Sequence, residues 1–235
     1  MVQLTANRPH VNLRVKFIKR GSLQYISHLD LVRTMHKILV RAGLPLWYTE
    51  GFNPKPKMVF AAPLSIGVES VTEFMDVKLV DDMPTDEVIR RLNANMTEEM
   101  QVIDAYYTDV KLTELKWLSY RISIVTDGGS PELAERCREV LTADSVSVLK
   151  KQKNSAEGKR VDIRGGIRSV EASFDNGAVI IDCVLCSDAS SFLNPEYIVK
   201  ALTEQGLVLC SGNLLREHYS IMRLAAYCED MTPFR

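Results

Sequence analysis

Residues 13–43 read LRVKFIKRGSLQYISHLDLVRTMHKILVRAG, and they predict a strand followed by a helix. Apolar and polar residues alternate over Leu13–Lys19, which is the pattern of a strand with one buried face. Ser27 stands three residues before Asp30, and this approximate capping box marks the start of a helix. The helix is predicted to end at Ala42, because a glycine follows and glycine is common just after a helix.

Four further elements are predicted before residue 112. They are strands over Met58–Ala62, Phe74–Leu79 and Gln101–Tyr107 and a helix over Thr85–Ala94. The resulting order, strand-helix-strand-strand-helix-strand, is that of the ferredoxin-like split βαβ motif. In that motif an antiparallel sheet carries two helices on one face.

The second half of the chain repeats this order loosely, without repeating the residues themselves. Asp175-Asn176-Gly177 is a strong hairpin turn between two predicted strands. The predicted strands are Lys116–Val125, Ser145–Leu149, Val170–Phe174, Ala178–Cys186 and Leu214–Met222, and the helices are Glu132–Leu141 and 195–205. We therefore predict an α+β protein of two ferredoxin-like modules, residues 1–112 and 113–235, each an antiparallel sheet with helices on one face.

Length, apolar runs and cysteines limit the class of protein. A chain of 235 residues accommodates two domains of about 115 residues, close to the usual ~100–150. Apolar runs such as Ala178–Ile181 are far shorter than the ~20 residues that span a bilayer, and the N-terminus does not resemble a signal peptide. Five cysteines at irregular spacing are typical of a reducing compartment. We expect a cytoplasmic protein with no membrane segment.

No complete cofactor or metal motif is present in the sequence. Cys183-Val-Leu-Cys186 has the spacing of a metal or redox pair, but it lies in a predicted strand, where positions three apart face opposite sides. No second cysteine pair or Cys/His pair completes a set of four ligands. Phosphate-binding glycine loops and dinucleotide fingerprints are missing as well. We predict neither a cofactor nor a metal.

Charge is unevenly distributed along the chain, although the net charge is only −1. Residues 1–70 hold ten Lys and Arg against three Asp and Glu, for a net charge of +7, whereas residues 71–112 have −6 and residues 113–235 have −2. Such asymmetry is typical of a surface for a polyanion. The alternative is that basic and acidic faces neutralise one another in the folded protein.

The most unusual segment is Glu50-Gly-Phe-Asn-Pro-Lys-Pro-Lys57. Its two prolines remove backbone donors, so the segment cannot be a central strand and is predicted to form a stiff, extended loop. Phe52 is a candidate for stacking on a base, Asn53 lies beside it, and Lys55 and Lys57 are candidates for contacts with phosphates. The alternative is an ordinary connection in which Phe52 packs in the core.

Two further groups of basic residues are candidates for the same ligand. Arg33, Lys37 and Arg41 form a stripe on the polar side of the first helix, although such a stripe is often only a solvated face. A second basic loop is another candidate for contacts with a polyanion, and the alternative is that it is only a solvated connection. Its basic residues are Lys150, Lys151, Lys153, Lys159 and Arg160.

His28 is a weak candidate for catalysis. Near a basic surface, a histidine can act as a general base toward a ribose 2′-hydroxyl. The helical projection places His28 on the side of Val32, Met35 and Leu39, which favours a structural role in the core or in the helix cap.

Several stretches resemble a bacterial family of unassigned function, the radical-SAM-associated domain family. The matching stretches are Arg14-Val-Lys-Phe, Ile26-Ser-His-Leu-Asp-Leu, Arg41-Ala-Gly-Leu-Pro, Glu50-Gly-Phe-Asn-Pro-Lys-Pro-Lys, Leu64-Ser-Ile-Gly-Val-Glu-Ser and, less specifically, Val161-Asp-Ile-Arg. In this family the domain often follows, or is encoded beside, a radical-SAM protein with a cobalamin-type domain. The resemblance implies a helper that brings a substrate, tRNA or rRNA, to a radical enzyme.

Three functions are compatible with these observations. The leading hypothesis is an RNA-binding accessory protein without catalytic activity of its own. The chain has no Cys-x3-Cys-x2-Cys and so cannot hold the iron–sulfur cluster of a radical-SAM enzyme. The first alternative is a metal-independent RNA endonuclease that uses His28, by analogy with ferredoxin-like RNA endonucleases. The second is a protein-interaction scaffold for a radical-SAM partner.

Overall fold

The structure is a computed structural model that describes residues 10–150, 158–188 and 191–235. The chain forms two compact units. The first unit is Met1–Glu114 together with Arg235, and the second unit is Leu115–Phe234. No helix among the described residues is both long enough and apolar enough to cross a membrane.

The first unit has the strand arrangement of a split βαβ motif. Its elements are β1 (Val11–Lys19), α1 (His28–Arg41), β2 (Met58–Phe60), β3 (Val68–Leu79), α2 (Thr85–Asn93) and β4 (Val102–Tyr107). The strands lie in the order β4-β1-β3-β2, and every neighbouring pair is antiparallel. Because β1 and β2 both run antiparallel to β3, they are parallel to each other with β3 between them, which is the split arrangement.

One face of this sheet carries both helices. Leu13, Val15 and Phe17 of β1 alternate with polar residues and are completely buried. They form one core with apolar residues of α1 and α2, such as Met35 and Leu92. Residues at alternate positions of a strand share a face, so both helices cover the same side of the sheet.

Helix α1 begins as the sequence predicts. The Ser27 hydroxyl accepts a hydrogen bond from the Asp30 backbone N–H at 3.1 Å and donates one to the Asp30 carboxylate at 2.7 Å. The helix ends at Arg41, and Gly43 follows with a φ of 64°. The local signals for this helix are therefore confirmed.

The second unit contains the same arrangement with an added hairpin. Its elements are β5 (Trp117–Val125), α3 (Pro131–Thr142), β6 (Ser147–Lys150), β7 (Lys159–Asp162), β8 (Ile167–Asp175), β9 (Ala178–Cys186), α4 (Glu196–Glu204) and β10 (His218–Tyr227). The antiparallel order is β10-β5-β9-β8, while β6 and β7 pair only with each other. Helices α3 and α4 contact each other, and α3 lies on β8 and β9. The predicted α+β class, with antiparallel sheets and helices on one face, is confirmed.

Two predicted strands of the second unit differ from the structure. The strand predicted over Ser145–Leu149 forms the separate β6–β7 hairpin, because its partner is β7 and not a strand of the main sheet. The strand predicted from Leu214 begins at His218 instead, since Leu214 and Leu215 lie in an exposed turn. The turn at Asn176 and Gly177 is confirmed, with φ angles of 48° and 80°, both in the left-handed region that a type I′ hairpin requires.

Candidate nucleic-acid interface

The Pro-rich segment forms a closed loop that projects from the first unit. Thr49 donates its backbone N–H to the Lys55 carbonyl at 2.8 Å, and the Lys55 N–H donates to the Thr49 hydroxyl at 3.0 Å. Tyr48 and Pro56 form a β-bridge directly behind this closure. Gly51 has a φ of 115°, a conformation that residues with a Cβ rarely adopt. These contacts hold residues 50–54 away from the core.

Phe52 stands at the tip of this loop. Its relative exposure is 112%, so no part of the ring is covered, and Asn53 beside it is exposed too. The alternative in which Phe52 packs in the core is therefore wrong. The physical reason is that Thr49 and Lys55 close the loop ahead of Phe52, which leaves the ring beyond the reach of the sheet and helices.

A basic groove lies between helix α1 and the C-terminal part of this loop, Lys55 and Pro56, which we call the loop arm. It is an open cavity of about 420 Å³, and we call it the basic groove; its lining residues are Arg33, His36, Lys37, Val40, Arg41, Lys55 and Pro56. The imidazole Nε2 of His36 lies 3.2 Å from the Pro56 carbonyl oxygen. Because a carbonyl only accepts, Nε2 carries the proton of this hydrogen bond. His36 thus fixes the loop arm against the helix.

The cations of the basic groove are largely available to a ligand. Arg33 forms an exposed ion pair with Asp30 at 3.1 Å. The hydrogen bond from the Ser27 hydroxyl, followed by that from Arg33, lowers the pKa of Asp30. Within residues 10–150, 158–188 and 191–235, Lys37, Arg41 and Lys55 form no ion pair, and all three are exposed. Three positive charges therefore face one cavity without a counter-charge.

The side chain of Lys57 lies in a different environment from that of Lys55. Its ammonium lies 5.0 Å from the ring centroid of Trp47, and it does not line the basic groove. The structure therefore brings Arg33, Lys37, Arg41 and Lys55 together, places Phe52 and Asn53 at the loop tip, and separates Lys57 from them.

The second basic stretch is partly neutralised by its own unit. Lys150 lies opposite Lys159 in the β6–β7 hairpin, and Arg160 lies opposite Leu149. Lys151 and Lys153 fall outside the described residues. The Arg160 guanidinium lies 3.6 Å from the Glu204 carboxylate of α4. The Lys150 ammonium lies 5.7 Å from the ring centroid of Tyr197.

His28 is the first residue of α1 and is exposed, so it does not take the core position that was one of its two predicted structural roles. The helix cap is Ser27, so His28 lies in the first turn, before the helix makes full contact with the sheet. Its ring contacts Phe60 edge-on, with centroids 5.5 Å apart. Exposure leaves this imidazole accessible, and RNA cleavage by His28 stays a hypothesis.

The cysteine pair lies in strand β9 as predicted. Cys183 and Cys186 are both buried, and burial raises the pKa of the Cys183 thiol to about 12. A thiol with such a pKa is protonated at neutral pH, whereas metals bind the thiolate. In the part of the chain that the structure describes, no group of three or more His, Cys, Asp or Glu side chains is placed to hold a metal. The metal content of the purified protein stays a prediction.

The part that His36 plays in this site was not predicted from the sequence. Its partner Pro56 lies 20 positions away, and the contact is made through a backbone oxygen that every residue possesses. No side-chain type or spacing in the sequence marks such a contact.

Comparison with known proteins identifies a family and shows a likeness of fold. No curated protein matches the chain. A chain in the crystal structure of a Cbf5-Nop10-Gar1 complex aligns over 91% of this chain and 48% of its own length, with a TM-score of 0.50 and 10% identity. The protein thus spans about half of that chain, and the likeness concerns the fold alone. A family model described as "uncharacterized protein conserved in bacteria" (DUF2344) matches residues 12–195. The chain belongs to this bacterial family.

Proposed function

We propose that the protein is an RNA-binding accessory factor whose first unit binds an RNA strand through Phe52 and the basic groove. The observation that carries the proposal is the fully exposed Phe52 ring on a closed loop. Lys55 and Pro56 of this loop line a groove with three cations that form no ion pair with any described residue. A large apolar ring that is held entirely in water gains no burial from folding. Its exposure is accounted for if a ligand covers it.

Each part of this surface matches a different part of a nucleic acid. Stacking of a base on an aromatic ring contributes about 1–3 kcal/mol and tolerates any base, because every base has a π-face. Lys37, Arg41 and Lys55 supply the charge that phosphates require. Asn53 lies next to the ring and offers both a donor and an acceptor to a base edge.

The partner enzyme and the kind of RNA belong to the proposal through the family resemblance given above. A radical-SAM protein would supply the iron–sulfur chemistry, since this chain lacks the cysteine motif for such a cluster. The chain would then contribute affinity and positioning for tRNA or rRNA, and no catalytic activity of its own.

A protein-interaction scaffold is the second candidate, and the apolar part of the groove favours it. Val40 is 52% exposed and lines the basic groove beside Pro56. An apolar floor between basic walls also suits an acidic peptide with an apolar anchor. For such a partner, salt would change the affinity less steeply than it does for RNA.

A salt titration of RNA binding tests the proposal. Binding of the full chain to a labelled, unstructured RNA is measured by fluorescence anisotropy at several salt concentrations. The logarithm of affinity should fall linearly with the logarithm of salt, with a slope of roughly 0.7 per phosphate contact. Phe52→Ala should weaken binding by about 1–3 kcal/mol at every salt concentration, because the ring contributes stacking and no charge.

Phe192→Ala is the matched control, since it removes a partly exposed phenylalanine from the second unit. Because the Phe52 ring is fully exposed, Phe52→Ala should leave the melting temperature unchanged. Equal RNA affinity for wild type and Phe52→Ala, together with no salt dependence, would contradict the RNA proposal and favour a protein as the ligand of the groove.

A further inference from the structure

A second cluster of cations surrounds Trp47 in the first unit, outside the basic groove. We call it the Trp47 cluster; its members are His10, Trp47, Lys57 and Lys78. The His10 imidazole stacks on the indole with centroids 4.0 Å apart and an interplanar angle of 23°. The ammonium groups of Lys57 and Lys78 lie 5.0 Å and 5.2 Å from the same ring centroid. The Lys78 ammonium donates to His10 Nε2 at 2.6 Å.

Backbone hydrogen bonds fix three members of the cluster relative to one another. Trp47 donates its N–H to the Lys78 carbonyl at 2.9 Å, and Lys57 donates to the Trp47 carbonyl at 2.8 Å. Lys78 in turn donates to the Lys57 carbonyl at 3.0 Å. These hydrogen bonds hold the backbones of the two lysines beside that of Trp47, so both side chains can reach the same indole.

The two ammonium groups of the cluster have no carboxylate partner among the described residues. In the described part of the chain neither Lys57 nor Lys78 forms an ion pair, and residues 1–9 contain no Asp or Glu. Burial lowers the pKa of Lys78, and Lys57 lowers it further. Burial, Lys78 and Lys57, in that order, lower the pKa of His10. Like charges held this close destabilise the fold unless an anion joins them.

We propose that the Trp47 cluster is a binding site for a phosphate group. One oxygen would accept from the Lys57 ammonium and another from the Lys78 ammonium, which retains two donors beyond its bond to His10. His10 closes the site from the stacked side of the indole. The site is distinct from the basic groove and goes beyond the RNA proposal, because a free phosphate satisfies it as well as a backbone phosphate does.

Proton uptake accompanies binding at this site. Without a ligand, His10 Nε2 accepts from Lys78 and the imidazole is neutral. A bound anion favours the protonated imidazole and therefore raises the pKa of His10. The affinity for the anion should increase as pH falls through the pKa that His10 has in the ligand-free protein. The other titratable groups near His10 are Tyr107, Asp82 and Asp109, which line an adjoining cavity of about 550 Å³.

Fluorescence of Trp47 in a Trp117→Phe background tests the proposal, because the chain has only two tryptophans. Inorganic phosphate is added at constant ionic strength, with chloride as the balancing ion, and a saturable change in emission is expected. Lys57→Gln should weaken phosphate binding by about tenfold or more, since it removes a charge-assisted hydrogen bond. Lys111→Gln, which removes an exposed charge elsewhere in the first unit, should not. If Trp117→Phe does not fold, the indole N–H signal of Trp47 in the NMR spectrum of the wild type replaces emission.

Sulfate isolates the proton linkage because its charge is constant between pH 5.5 and pH 8, whereas that of phosphate changes. Sulfate should bind more tightly at the lower pH. His10→Phe should keep the stacked ring but abolish this pH dependence. A response to phosphate that does not saturate, or equal weakening by Lys57→Gln and Lys111→Gln, would overturn the proposal.

RNA-binding measurements on the same variants identify the source of the phosphate. If the site takes a backbone phosphate, Lys57→Gln also lowers the salt slope for RNA, by up to roughly 0.7. If it takes free phosphate, RNA binding is unchanged and only the phosphate titration is affected. Phe52→Ala should leave the phosphate titration as it is in the parent. Failure of RNA binding and failure of this site are therefore separate results.

Discussion

The basic groove of the first unit and the basic β6–β7 hairpin of the second handle their charges differently. In the groove, Lys37, Arg41 and Lys55 are exposed and form no ion pair with any described residue. In the hairpin, Arg160 lies 3.6 Å from Glu204, which also attracts the Lys200 ammonium at 3.7 Å. Lys200 further donates to the Leu149 carbonyl of the hairpin.

This difference shows that a count of basic residues does not measure the charge available to a ligand. Glu204 belongs to helix α4, and it meets the hairpin only because the fold packs that helix beside β6. An ion pair that is already formed has to be broken or shared before a phosphate can bind. Among the described residues the groove has no such acid apart from Asp30 beside Arg33, so our proposal places RNA binding at the groove and gives the hairpin only an auxiliary role.

Removing three charges from each surface provides the strongest test of this comparison. Lys37→Gln, Arg41→Gln and Lys55→Gln combined should lower the salt slope of RNA binding by about two units, at roughly 0.7 for each phosphate contact. The hairpin triple Lys150→Gln, Lys159→Gln and Arg160→Gln should lower it by less than one unit. Anisotropy titrations against salt measure both. Equal slopes for the two triple variants would remove the distinction between the surfaces.

The hydrogen bond between His36 and Pro56 determines whether the groove keeps its shape. His36→Ala should lower the free energy of unfolding by about 0.5–1.5 kcal/mol, the usual contribution of one hydrogen bond. His36→Gln retains an N–H donor at this position and should lose less. Urea denaturation measures both variants, with His218→Ala, at an exposed histidine of the second unit, as control. A His36→Ala protein as stable as the wild type would show that the loop arm does not depend on this contact.

Removing the negative charge of Glu204 tests whether this acid causes the difference between the hairpin and the groove. Glu204→Gln frees Arg160 and Lys200, so the hairpin should bind a polyanion more tightly, by less than about tenfold. The stability cost should remain under about 1 kcal/mol, because both ion pairs are partly exposed. Retention on a heparin column and thermal melting measure the two effects. Unchanged retention would mean that Glu204 does not mask the hairpin.

The smallest expected effect concerns His28. If the chain has no catalytic activity of its own, wild type and His28→Gln should leave a labelled RNA equally intact after prolonged incubation without metal. The residue is exposed, so the substitution should not unfold the protein. Cleavage by the wild type that disappears in His28→Gln would support the endonuclease alternative instead.

Part of the site could be predicted from the sequence. The prolines on either side of Lys55 predicted a stiff extended segment, and the spacing of Arg33, Lys37 and Arg41 predicted a stripe on one side of a helix. Their meeting in one groove could not be predicted, because the loop arm reaches α1 through the His36–Pro56 contact across 20 positions. The position of Lys57 could not be predicted either, since its separation from Lys55 depends on the backbone hydrogen bonds that place it beside Trp47.

The sequence by itself determined the elements that depend on near neighbours. Ser27 caps its helix through a contact with Asp30, three residues further along the chain. Asn176 and Gly177 adopt the positive φ angles of a tight turn, and alternation of apolar and polar residues in β1 selects its buried face. These signals act over a few residues, so the local sequence contains all of their physical causes. Tertiary structure alone decided which cations are paired, whether Phe52 is covered, and that β6 and β7 leave the main sheet. Those outcomes depend on distances between residues far apart in the chain, which packing of the whole unit sets.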